Sequence, residues 1–441
     1  MARKSLCTVL TVFLLVTFPF GFSSAESNKQ YIKVGLAFGD AAASSCVLRS
    51  DSGFVLARAV SDGFEEVLRL PGSTELTVSV ESLVIVAKDN YGQIVFDRVD
   101  ADICLMPFDY TGGILRYNGK PYRGGFCFYI TASGKMNIIN YIDIESYLYG
   151  VLNSEMGYKN PMEALKAQAV TARSFTVCNT GKHKSEGFDL CTAVHCQVYT
   201  GYAGEYRETN RAVDETAGLV LTYGGETVSG YYFKNSGGHT QSVSDVWGGS
   251  APYLTGTKDE YSPEYSWRFE IKFQDIGDRL KAAELDVGNV RSVAVKTRNK
   301  SGAVSSLEIT GASGTVELKG ESIRTIFGSA NVKSRMFSFG GTDSVVPDEK
   351  DVMHIIGAGG KTASLKRWEV YVYPGRLLDE VPRVGIMEAS TSDPLVFYGK
   401  GYGHGVGMPQ DSAIEMAKKG FVFEEILKYF YTGIEIGQEQ D

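Results

Sequence analysis

The stretch Asp143-Ile-Glu-Ser-Tyr-Leu-Tyr-Gly-Val-Leu-Asn-Ser-Glu-Met156, with Asn160-Pro-Met-Glu-Ala-Leu-Lys-Ala-Gln-Ala-Val-Thr-Ala-Arg-Ser-Phe-Thr176 behind it, decides the architecture. Ile144, Leu148, Val151 and Leu152 recur at helical spacing after Asp143, a good N-cap, so the spacing predicts a helix running to Met156. A second helix is expected from Asn160-Pro161, with Asn as the cap, Pro at the first helical position and Glu163 three residues after the cap. Its apolar stripe is Met162, Leu165, Ala169, Ala172 and Thr176, and it ends before Gly181. Two helices with so tight a connection predict an αα-hairpin.

Outward from the hairpin the pattern is of strands. Residues 32–36, 76–80, 83–87 and 126–130 are short β-type runs bounded by Gly, Ser, Asp and Asn. Strand signals return at 219–223 and 228–233. Residues 265–337 read as α+β, with a helix near 273–283 and strands at 290–297 and 304–309, and 338–392 is an accessory segment punctuated by Gly, Asp and Pro. A glycine-rich loop and helices near 409–418 and 423–431 close the chain. The expected fold is α+β: a mixed β-rich domain from 30–142, 143–264 and 393–436, with a central catalytic αα-hairpin and an inserted α+β subdomain at 265–392.

Arg3 and Lys4 precede an uncharged apolar run at 6–20, and Ser23-Ser24-Ala25 supplies the small residues of a cleavage site. Residues 1–25 are therefore an export signal, either cleaved or kept as an anchor, and the protein is expected outside the cytoplasm, at the membrane or in the cell wall. The net charge of −8 contains no cluster of Lys and Arg, which excludes a nucleic-acid partner. Seven cysteines stand at 7, 46, 104, 127, 178, 191 and 196; without Cys7, six allow up to three disulfides in an exported chain.

Four segments can carry chemistry. Glu155 falls in register with Leu148 and Val151 on the apolar face of the first helix, where desolvation raises a carboxyl's pKa towards that of a general acid. The bland reading is an ion pair with Arg173. His183, Cys191, His195 and Cys196 are a tetrahedral zinc ligand set, or alternatively Cys191 and Cys196 form a disulfide beside bystander histidines. Asn235-Ser-Gly-Gly-His-Thr240 and Asp245-Val-Trp-Gly-Gly249 offer Ser236, His239 and Thr240 as hydrogen-bonding groups and Trp247 as a stacking face, or else a plain turn. Gly399-Lys-Gly-Tyr-Gly-His-Gly-Val-Gly-Met408 alternates glycine with Tyr402 and His404, which suits a strand that a ligand or another strand approaches closely. Of the five histidines, only His354 lies outside these segments, a concentration more like a site than scattered core residues.

Taken in order, these motifs resemble the stage II sporulation protein D family, which also includes the amidase-enhancer proteins. The resemblance rests on 147–156, 163–174, 188–199, 236–249 and 401–408, and covers roughly residues 100–436. It implies a lytic transglycosylase acting on peptidoglycan glycan strands, with Glu155 of Ser-Glu-Met as the catalytic residue and Arg173 of Ala-Arg-Ser as its partner in the site. It implies a structural zinc in those members that keep the Cys and His ligands, as this chain does. A cell-wall amidase or other engulfment proteins are the implied partners, and the alternative is a glycan binder that enhances an amidase without cutting. The chain departs from the family pattern after Met408, where Pro409-Gln-Asp-Ser-Ala413 replaces Ser-Gln-Tyr-Gly-Ala.

Overall fold

The computed structural model describes residues 30–60, 63–98, 102–110, 112–339, 352–356, 362–366 and 388–439. The expected export signal at 1–25 and most of the accessory segment at 338–392 lie outside the described residues. The described chain is mixed α and β, strand-rich, with eight helices.

A seven-stranded sheet runs from edge to edge as Leu190–Cys191, Tyr31–Ala37, Met136–Asp143, Gly125–Ile130, Ile103–Pro107, Gly53–Val60 and Gly63–Pro71. A six-stranded sheet runs Lys120–Tyr122, Leu115–Tyr117, Ser45–Ser50, Glu75–Glu81, Val84–Asp89 and Ile94–Arg98. Strand alternation sends Phe54, Leu56, Leu105, Phe126 and Ile138 into one core with Leu48, Leu76 and Val78 of the second sheet. Residues of the opposite parity, among them Val55, Cys104, Cys127 and Ile139, form another apolar layer behind the first sheet. With both faces covered, these strands read as continuous apolar runs instead of alternating ones. Cys104 and Cys127 face each other across neighbouring strands and form a disulfide, while Cys46, Cys178, Cys191 and Cys196 are free.

One strand starts later than its sequence suggests. Ser82 (φ 52°) and Leu83 (φ 62°) both take left-handed conformations and make the two-residue turn between Glu75–Glu81 and Val84–Asp89. Leu83 is thus an exposed turn residue and not the first residue of a strand.

Helix α1, Ile144–Glu155, is capped as expected: the Asp143 carboxylate accepts the Ser146 N–H at 3.0 Å. Helix α2, Met162–Cys178, is almost wholly buried, and its small residues Ala164, Ala167, Ala169 and Ala172 let neighbours approach closely. Its buried hydroxyls are satisfied within the helix, Thr171, Ser174 and Thr176 each donating to the carbonyl four residues back. Asn160 does not cap α2. Its amide donates to the Met156 and Gly157 carbonyls at 2.5 and 3.2 Å and so closes the end of α1. Helix α3, Arg207–Asp214, buries only Thr209, Ala212 and Val213, a short stripe of small side chains that the sequence reading does not place.

The strand expected at 228–233 shortens to Tyr232–Phe233, which pairs in parallel with Met408–Pro409. It is followed by the one-turn α4, Val243–Val246. A second core holds Trp267, Ile276, Leu280, Val293, Leu307, Phe327 and Phe397. Helices α5, Phe273–Ala282, and α6, Ser322–Phe327, pack there with strands Val290–Arg298, Val304–Gly311 and Thr315–Lys319. Strand Leu395–Lys400 pairs with Ser266–Ile271 and leads back to the first core, where α7, Gln410–Lys418, and α8, Phe423–Phe430, complete the packing around α2. Among the described residues no helix is long and apolar enough to cross a membrane.

Candidate functional site

Helix α1 ends on Glu155, and the residues that meet it come from two distant segments. The Val198 N–H donates to Glu155 Oε1 at 2.8 Å, and the Tyr232 hydroxyl lies near enough to the same carboxylate to lower its pKa. Tyr232 is oriented from behind. Gln197 Nε2 donates to its oxygen at 3.3 Å, which leaves the hydroxyl proton for Glu155. Gln197 is fully buried; its Oε1 accepts from Tyr147 and Thr176 at 3.3 and 2.8 Å. Gln410 Nε2 donates to the Glu155 carbonyl at 3.1 Å and ties α7 to the end of α1.

Burial raises the pKa of Glu155 above the usual carboxylate range, and the Val198 and Tyr232 donors oppose that rise without cancelling it. Burial thus favours the acid form of the group, and the Val198 N–H faces the carboxylate that forms when the proton leaves. Tyr232, Gln197, Val198 and Gln410 were not singled out in the sequence. Tyr232 stands in Tyr231-Tyr-Phe233, which reads only as an apolar strand, and Val198 acts through its backbone.

Arg173 does not face Glu155, neither as partner nor as ion pair. Its guanidinium is 1% exposed and grips both Glu145 oxygens at 2.8 and 2.7 Å, with Nη1 donating to the Leu219 carbonyl at 3.0 Å. Glu145 lies in the first turn of α1, ten residues and so about 15 Å of helix away from Glu155. Asp143 is further still at the helix cap. Among the described residues, no second carboxylate acts on Glu155.

The four Cys and His groups converge. Their ligand atoms all lie within 4.8 Å of one another. His183 Nε2 is 3.3 Å from His195 Nδ1, and each Cys Sγ is 3.6–3.7 Å from His195 Nδ1. Cys191 and Cys196 are not bonded to each other. His183 Nδ1 contacts Glu186 Oε2 at 2.7 Å, and its ring stacks on Phe188. The loop from Cys191 runs directly into Gln197 and Val198, so the cluster anchors the donors that serve Glu155.

The two glycine-rich segments pack on each other. Gly401, Gly403, Gly405 and Gly407 all have positive φ, between 78° and 124°, so 401–407 is not a strand. A close approach does occur, but by the protein's own segment 231–241: a Cβ at Gly403 would come 2.6 Å from Phe233 Cβ. Ser236 and Thr240, expected at the substrate, are buried and bonded inside the protein. Ser236 donates to Asp259 at 2.5 Å, and Thr240 accepts from Thr257 N–H at 2.7 Å. His239 is partly buried, with Nδ1 2.5 Å from the Thr240 carbonyl. Both ring nitrogens of His404 bond to backbone, at Tyr232 and Val406. Trp247 is 45% exposed, its ring 5.0 Å from those of Tyr231 and His404, and presents an aromatic face beside this network. Tyr402 lies between Tyr265 and the Lys333 ammonium.

Residues 132–223, which carry α1, α2 and the Cys/His loop, match the family model described as Stage II sporulation protein. Residues 249–360 match a domain of unknown function. The chain is 29% identical over 303 residues to the amidase enhancer of Bacillus subtilis, covering 65% of this chain and 39% of that protein. It is 27% identical over 316 residues to stage II sporulation protein D of Bacillus subtilis, covering 67% of this chain and 75% of that one. An uncharacterized protein of Brachyspira hyodysenteriae is 27% identical over 322 residues, 72% of this chain and 73% of the relative.

Proposed function

We propose that this chain, as a member of the family of stage II sporulation protein D and the amidase enhancer, cuts peptidoglycan glycan strands as an exported lytic transglycosylase. The observation that carries this reading is Glu155: one desolvated carboxyl that accepts the Val198 N–H, with the Tyr232 hydroxyl near it and no second carboxylate shifting its pKa among the described residues. A hydrolase usually needs a pair of carboxyls at defined separation. A transglycosylase can use one carboxyl twice. Neutral Glu155 gives its proton to the glycosidic oxygen as the bond to the muramoyl C1 breaks. The carboxylate, held by Val198 N–H and Tyr232 OH, then takes the proton of the muramoyl C6 hydroxyl as O6 bonds to C1. The product carries a 1,6-anhydro ring, and no water is consumed. Trp247 supplies a face on which a sugar can stack.

The test is digestion of purified glycan strands followed by mass spectrometry. Anhydro ends are expected. Reducing ends would mean a hydrolase, and intact strands with a stimulated amidase would mean the enhancer role named for the Bacillus subtilis relative. Tyr232→Phe is expected to lower kcat about tenfold to a hundredfold, the loss of one hydrogen bond to a charged group. Because the Tyr232 hydroxyl holds the Glu155 pKa down, its removal moves the alkaline limb of the pH–rate profile to higher pH.

His183, Cys191, His195 and Cys196 fit zinc. Bonds of about 2.0–2.3 Å at tetrahedral angles require ligand separations of about 3.3–3.8 Å; four pairs of these atoms lie 3.3 to 3.7 Å apart and all of them within 4.8 Å, close enough for a metal to draw together. Glu186 on His183 Nδ1 is the carboxylate that orients a zinc-bound imidazole. Four protein ligands leave no open position, so the metal would brace the loop that delivers Gln197 and Val198. One zinc per chain is expected by elemental analysis. Strong chelation, or Cys196→Ser, should lower the melting temperature by on the order of 10 °C. An unchanged melting temperature together with absent zinc would refute the site.

A further inference from the structure

We propose that His404 is a positioning residue that holds the Tyr232 backbone, and through it sets the position of the Tyr232 hydroxyl beside Glu155. This rests on the transglycosylase reading for its kinetic consequences, though not for its geometry. Val406 N–H donates to His404 Nδ1 at 3.1 Å, so that nitrogen carries the lone pair. The proton is then on Nε2, which donates to the Tyr232 carbonyl at 3.0 Å. Both nitrogens are used, so the imidazole has none left for a sugar hydroxyl.

The need for such a brace follows from the local fold. Tyr232 sits in a strand of only two residues. Its segment is held on one side by the pairing of Tyr232 with Met408 and by Met408 N–H on the Tyr231 carbonyl at 3.0 Å. The Tyr431 hydroxyl donates to the Tyr231 carbonyl at 2.6 Å, and His404 supplies the hold on the Tyr232 carbonyl itself. Gly403 and Gly405 allow it: a Cβ at either would meet Phe233 or Gln241 at 2.6 and 2.5 Å, so only glycine lets the loop lie flush. Phe233 and Trp247 pack on the imidazole at ring distances of 5.4 and 5.0 Å. Burial pushes its pKa down to about 4, which keeps it neutral and keeps the tautomer fixed across the working range.

A hydroxyl displaced by about an ångström no longer serves the carboxylate, which is how a residue away from the chemistry lowers a rate. Two measurements on the full chain test the idea. In crystals of His404→Leu the Tyr232 hydroxyl should lie about an ångström or more further from the Glu155 carboxylate than in wild-type crystals, whereas His404→Gln, which offers one amide donor and one carbonyl acceptor, should keep the wild-type position. An unmoved Tyr232 in His404→Leu overturns the proposal, whatever the protein does to glycan. In strand digestion, His404→Leu should lower kcat about tenfold with KM unchanged, and should add nothing when Tyr232 is already Phe. Losses that multiply in the double variant, or a raised KM, would assign His404 a separate role and overturn the proposal. Wild-type protein that leaves strands intact would refute the transglycosylase reading, and the crystal comparison would still decide the role of His404.

Discussion

Glu155→Gln is expected to lower strand cutting by about 10²–10⁴-fold, the usual contribution of a positioned general acid, while the chain still folds. The amide keeps the volume and one acceptor for Val198 N–H, so packing at the end of α1 is retained. What it cannot do is give a proton to a leaving oxygen. The measurement is the yield of 1,6-anhydro ends per unit time. Full cutting by the variant would remove Glu155 from the chemistry.

The same substitution has a second consequence, of opposite sign. Desolvation raises the Glu155 pKa in the folded state above its unfolded value. A carboxyl of this kind favours folding while protonated, and that contribution is lost as pH rises from the unfolded pKa through the raised folded one. Above that window the wild type bears the cost of a buried charge that the glutamine variant does not. Glu155→Gln should therefore melt no lower than wild type at neutral pH, with the gap closing below the ordinary carboxylate range. The activity of the wild type falls over the same window, because the acid form disappears. A variant that melts lower at neutral pH would show that the two donors outweigh burial.

How much of this was legible depends on where each signal is stored. Periodicity and capping are local, and they placed α1, α2, α5, α7 and α8 within a residue or two, with Asp143 capping α1 as its position suggests. Asn160 was misread because the same residue type can close the preceding helix as readily as open the next. Leu83 was misread because its left-handed turn contains no glycine to announce it. At the site, the Cys/His spacing pointed to a cluster, and the structure brings those four side chains together. Ser236 and Thr240 carry the same hydroxyls whether they face a ligand or an interior carboxylate, and only the fold shows Asp259 beneath Ser236. Tyr232 and Val198 reach Glu155 from 77 and 43 residues away in sequence, a separation that no motif records.

Arg173→Met is expected to destabilise the protein by about 3 kcal/mol or more without a specific effect on cutting. Removing one partner of a buried ion pair leaves the other charge uncompensated. Here it also takes the Arg173 donor from the Leu219 and Val213 carbonyls, while Glu145 keeps the Gly218 N–H at 3.0 Å. The pair thus ties α1, α2 and the turn after α3 into one unit. Arg173→Lys keeps the charge but loses the planar fork, so most of the loss should remain. Arg173→Met with Glu145→Leu should recover part of it, since the unpaired charge is gone while the stranded carbonyls persist. Denaturant unfolding gives the energies, and KM and kcat normalised to folded protein should stay within about twofold of wild type, as for a residue outside the site. A variant of normal stability that no longer cuts would place Arg173 on the substrate after all, and would mean that its bond to Glu145 opens when a glycan strand binds.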